Sequence, residues 1–101
     1  MGLFKKQVIK EIGGSPLWGY LFNSCGFDSD TLYHEIRYVE RKGELNGGES
    51  VTFIRVFSLK TAQGKGVTAT GWETFDEHPE LILFEGYITK DYKVKLERKG
   101  S

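Results

Sequence analysis

The chain carries a single cysteine, Cys25. That excludes an internal disulfide and any zinc cluster built on cysteines. No apolar run approaches the roughly 18 residues that a membrane-crossing helix needs, and no signal-peptide core is recognisable. The expectation is a reducing cytoplasmic setting without membrane insertion. Neither sign of charge predominates: fourteen Lys and Arg balance fourteen Asp and Glu, so no global field draws the chain to nucleic acid or to an anionic membrane. The opening Met1-Gly2-Leu3-Phe4-Lys5-Lys6 lacks the Ser or Thr that a myristoylation signal places at position 6. Internal repeats, linkers and low-complexity tracts are missing too.

What is present is an ordinary globular composition in 101 residues, 39% hydrophobic and 28% charged, enough for one domain spanning 1–101 without covalent staples. Seven Phe and five Tyr point to a core built around rings. Phe4, Val8 and Ile12 recur every four residues, with Lys5, Lys6, Lys10 and Glu11 opposite. This predicts a short amphipathic helix ended by Gly13-Gly14, although strand alternation fits the same residues. Ser15-Pro16 is an N-cap followed by proline in the first helical position, opening a second helix that Gly26 ends after Cys25.

The strongest pattern is a β-hairpin over Thr31–Lys60. Two β-branched and aromatic runs flank a glycine-rich turn containing Asn46-Gly47. A two-residue turn centred there pairs Tyr38 with Arg55, Ile36 with Phe57, His34 with Leu59 and Val39 with Ile54. One face then collects Leu32, Ile36, Tyr38, Val51, Phe53, Phe57 and Leu59 as the core face. A slip of one residue sets Ile36 beside Ser58 and mixes the faces. Further on, Thr70-x-x-Glu73 and Thr74-x-x-Glu77 are overlapping capping boxes, predicting a helix within 71–78 closed before Pro79, with Trp72 and Phe75 as its buried residues. Leu81–Ile88 reads as a strand buried on both faces, Lys90-Asp91 as a turn, and Tyr92–Arg98 as a half-buried strand whose lysines suit a sheet edge. The fold class is therefore α+β: short N-terminal helical elements packed on a mainly antiparallel four-stranded sheet, with a helical excursion between strands 2 and 3.

Chemistry is sparse. Gln63-Gly64-Lys65-Gly66-Val67-Thr68 has Gly66 where a phosphate loop needs Ser or Thr, and lacks the earlier glycine. His34 and His78, with Asp76, Glu77 and Glu80, offer no ligand spacing that zinc demands. Asp28-Ser29-Asp30 starts like a calcium loop and stops there. Cys25 sits among Phe22, Gly26 and Phe27, an apolar setting that leaves a thiol inert. No catalytic constellation, metal or cofactor is assigned.

Two places remain as binding candidates. On the outer hairpin face, Tyr33, Glu35, Arg37 and Arg41, with Lys60 beyond, mix rings with cations as a stacking platform for single-stranded nucleic acid does. The second is Arg55, a cation inside an apolar stripe, which can stack on Tyr38 or reach Glu85, an acid inside an apolar strand. That pair is either structural or the polar part of a ligand pocket. The reading that follows is a small non-catalytic binding module acting on a protein partner. The alternatives are a small-molecule or enzymatic pocket at Arg55 and Glu85, and a nucleic-acid surface on the outer hairpin face.

Overall fold

In a computed structural model of the chain, residues 10–11, 16–67 and 71–99 are described. Two short helices come first, α1 (Pro16–Ser24) and α2 (Ser29–Glu35), after a two-residue strand β1 (Lys10–Glu11). Then follow β2 (Ile36–Glu44) and β3 (Ser50–Ser58), the excursion α3 (Leu59–Gly64) and α4 (Thr74–Glu77) with a 3₁₀ turn at Pro79–Leu81, and finally β4 (Ile82–Thr89) and β5 (Val94–Arg98). All neighbours are antiparallel and the spatial order is that of the sequence, so β2–β5 form a four-stranded meander with β1 added outside β2. The α+β architecture with its helical excursion is the one the sequence predicts. The helix expected over 4–12 lies outside the described residues except at Lys10 and Glu11, which are extended and pair with Tyr38 and Arg37.

The hairpin is shorter than its sequence pattern. Thr31–Glu35 is the end of a helix rather than the start of a strand, because the Asp28 carboxylate caps it by accepting the Thr31 N–H at 2.7 Å. His34 is consequently exposed and 3.4 Å from Asp30 one turn earlier, not on a core face opposite Leu59. At the other end the Ser58 hydroxyl accepts the Thr61 N–H and turns Leu59 and Lys60 into α3.

The register also differs by one residue from the expected one: Ile36 faces Ser58, Tyr38 faces Val56 and Val39 faces Arg55. The turn explains it. Gly48 N–H donates to Leu45 O and Leu45 N–H to Glu49 O, with Gly48 at φ +87°. This is a three-residue loop that ends in a left-handed glycine rather than a two-residue Asn-Gly turn.

The slip divides the apolar residues between two faces, and both are core. Ile36, Ile54, Val56 and Phe84 pack under α1 and α2 with Leu17, Leu21 and Leu32. Val39, Phe57 and Ile82 pack under the excursion with Ala62, Phe75 and Leu81. Phe57 and Phe75 meet with ring centroids 4.8 Å apart. A register irregularity opposite Val56/Phe57, where Val56 faces Phe84 and Phe57 faces Ile82, sends Leu83 and Phe84 to the first cluster and Ile82 to the second.

Candidate functional site

Arg55 stands at the centre of the face that the excursion covers. Cross-strand register places Glu85 beside it on β4, and Arg55 Nε donates to Glu85 Oε2 at 2.9 Å. Nη1 donates to the Trp72 carbonyl at 2.8 Å and Nη2 lies 3.1 Å from Asp76 Oδ1. The guanidinium carbon stands 4.1 Å from the Trp72 ring centroid, within stacking range. Arg41, diagonal to Arg55 across the β2–β3 pair, brings its guanidinium to 5.3 Å from the same ring. Glu85 also faces Lys99 at 3.8 Å. Every nitrogen of Arg55 thus has a protein partner, and its side chain is only 13% exposed. The stacking partner is Trp72, not Tyr38, because the register sends Tyr38 to the opposite face. Chemically the arrangement is a clamp: it ties the chain before α4, and Asp76 within α4, to the middle of the sheet.

The other predicted site residues do not form one surface. Tyr33 and Glu35 belong to α2, whereas Arg37 and Arg41 belong to β2 and Lys60 to α3. Arg37 Nη1 donates to Ile36 O at 2.9 Å and Tyr33 O at 3.1 Å, which satisfies carbonyls at the end of α2 and places a cation where the helix dipole favours one. The Tyr33 ring is exposed and meets His34 edge-on.

A different feature appears at the hairpin end of the sheet, beside the start of α1. A groove of about 600 Å³ runs across it, lined by Pro16, Tyr38, Lys42, Thr52, Ile88 and Tyr92 among others. The even-numbered residues of β2, β3 and β4 share this face by register, so Thr52 and Ile88 form its floor. Tyr38 is half-buried against the first core cluster, and burial, with the negative charge of Glu40 adding to it, pushes its phenol above the ordinary tyrosine range. Glu40, Glu44, Lys42 and Lys90 give the lining equal numbers of each sign. No single sequence segment signals this groove, since its lining comes from α1, three strands and the β4–β5 loop. Trp72 in the Arg55 cluster was legible only as a core residue.

Cys25 packs beside the first core cluster, and burial raises its thiol pKa while Arg98 opposes the rise. Among the described residues no group of three or more His, Cys, Asp and Glu could hold a metal ion, and no helix is long and apolar enough to cross a membrane. Comparison of the chain with protein-family models, with curated proteins and with solved structures finds no match.

Proposed function

We propose that the protein is a small non-catalytic binding module whose groove at the hairpin end of the sheet takes an extended segment of a partner protein. The observation that carries this reading is the groove itself. Among the described residues, helices pack on both faces of the sheet, and at this end Thr52 and Ile88 lie in a groove lined by two tyrosines. Its volume lies in the range of ligand sites. The charges of the lining favour a polypeptide over a nucleic acid: two acids and two bases give no basic track for phosphates. Among the described residues lining the groove there is no histidine or cysteine to act as a base or nucleophile.

The test is selection from a random peptide-display library on the immobilised protein, followed by mapping an enriched peptide by amide chemical-shift perturbation. The expected result is perturbation centred on Lys42, Thr52, Ile88 and Tyr92, with affinity nearly independent of salt. Perturbation centred elsewhere, or no enriched sequence, defeats the reading. Single-stranded oligonucleotide that binds there and is lost steeply with salt replaces it with the nucleic-acid alternative.

A further inference from the structure

The two hairpin loops of the sheet are built alike and filled differently. In the first, Leu45 and Glu49 close a loop whose third residue is Gly48, at φ +87°. In the second, Thr89 N–H donates to Lys93 O at 2.9 Å and Tyr92 N–H to Thr89 O at 3.0 Å, the same pair of bonds three residues apart. The third residue there is Tyr92, at φ +65°. It is the sole non-glycine at positive φ among the described residues. A tyrosine in the left-handed region is strained, because its Cβ crowds the following carbonyl; glycine and asparagine occupy that position with little or no such penalty.

The loop holds Tyr92 in place firmly. The Thr89 hydroxyl donates to Asp91 Oδ1 at 2.5 Å and accepts the Lys93 N–H at 3.0 Å, so backbone and side-chain bonds fix both sides of the strained residue. Among the described residues it joins neither core cluster. The Tyr92 residue is 72% exposed. It lines the groove together with Tyr38 and Pro16. Strain kept at an exposed aromatic beside a groove is the pattern of a contact residue: a tyrosine presents a large rigid surface with two torsions to order, and a hydroxyl at its tip.

We propose that Tyr92 is the anchor and specificity-determining residue of the groove, its ring packing on an apolar side chain of the partner segment and its hydroxyl bonding to that segment's backbone. The proposal rests on the groove being the binding site, and the test separates the two. Tyr92→Asn and Tyr92→Phe are compared with the unaltered chain for melting temperature and for affinity to a peptide selected on the unaltered chain and mapped to the groove. Tyr92→Asn is expected to raise the melting temperature by about 4–8 °C as the strain is relieved, while weakening the peptide about thirtyfold. Tyr92→Phe keeps the ring and the strain, so its melting temperature stays put and most of the affinity remains. A Tyr92→Asn chain that is more stable and binds the peptide as before overturns the anchor role and leaves the groove reading intact. A less stable Tyr92→Asn chain makes Tyr92 structural and also overturns it. If no selected peptide maps to the groove, the groove reading fails and the anchor with it. A dimer of the chain alone that Tyr92→Asn dissociates makes the occupant a second copy, and the peptide-anchor proposal falls.

Discussion

Replacing Arg55 by Met removes the charge and keeps most of the side-chain volume, so it isolates the clamp from the packing. The Glu85 carboxylate, 29% exposed, loses a 2.9 Å charge-assisted bond and keeps only Lys99 at 3.8 Å; a bond of that kind contributes about 1.5–3 kcal/mol. The Trp72 carbonyl loses its donor, which adds about 1 kcal/mol because the site is only partly buried. Asp76 is more than half exposed, so its pair with Arg55 is worth no more than about 1 kcal/mol. Loss of stacking on Trp72 contributes about 0.5–1 kcal/mol, partly offset by a thioether contact with the same ring. Burying an apolar group where a guanidinium had to be desolvated works in the other direction. The net expectation is a loss of about 2–4 kcal/mol, read as a lower urea midpoint at unchanged slope. Because the clamp holds the chain at Trp72, a Trp18→Phe background should show Trp72 emission moving to the red in Arg55→Met before the main transition. The Arg55→Met/Glu85→Leu double variant should recover part of the loss, with a coupling of about 1–3 kcal/mol. If Arg55→Met changes stability by less than about 0.5 kcal/mol and the two substitutions add, the clamp is not structural, and a ligand role for Arg55 and Glu85 becomes the better account.

A Cβ placed on Gly86 would lie 1.8 Å from the Lys95 carbonyl oxygen and 2.8 Å from Leu96 Cα, so Gly86→Ala must push β5 away from β4; the expected loss is about 2–4 kcal/mol with hydrogen-exchange protection lost first in β5, and unchanged protection there would contradict it. Tyr38, raised by burial and by Glu40, holds its proton in the folded chain above the pH at which the unfolded chain gives it up, so its contribution is complete below about pH 10 and is lost as pH rises through the folded value; ultraviolet titration should show one late phenol that Tyr38→Phe removes. Cys25, whose thiol burial raises, should react with iodoacetamide at neutral pH far more slowly in the native chain than in urea, and equal rates would show that the thiol is open.

Much of the fold was legible because local signals and global packing agree. Pro16 at the start of α1, Gly26 at φ +82° after it, the end of α4 before Pro79 and the lysine-bearing edge strand β5 all sit where local chemistry puts them, whereas α4 begins only at Thr74, after Glu73 and without a side-chain cap, and leaves Trp72 outside it. The errors cluster where two local rules compete. Thr31–Glu35 alternates like a strand, but Asp28 supplies the cap that makes it helical, and β-branched residues are no bar to a seven-residue helix packed through Leu32. Asn46-Gly47 signals a two-residue turn, yet the next residue is also glycine, and Gly48 takes the left-handed position of a three-residue loop instead. Asking for one apolar face then selects the wrong register, because this sheet has helices on both sides. A mixed pattern is the correct pattern for a strand buried twice.

That double cover also bears on where the groove lies. The excursion from Leu59 to Leu81 closes one face through Phe57 and Phe75, and α1 and α2 close the other through Ile36, Ile54 and Phe84. The first residue of α1, Pro16, lines the groove together with the Thr89–Lys93 turn, and α1 spans nine residues, about 13 Å, against nine-residue strands of about 30 Å. Among the described residues, the hairpin end carries a groove lined by Tyr38 and Tyr92 with Thr52 and Ile88. Sequence periodicity reports which residues face a layer and is silent on where a layer stops. The left-handed backbone of Tyr92 was equally out of reach, because a tyrosine there runs against its own propensity and only the matched bonds of the two loops reveal it. Arg55 was the conspicuous residue in the sequence because it breaks an apolar stripe, yet its nitrogens are all engaged within the fold. The exposed and strained Tyr92 is, by the same physical test, the better place to seek a partner.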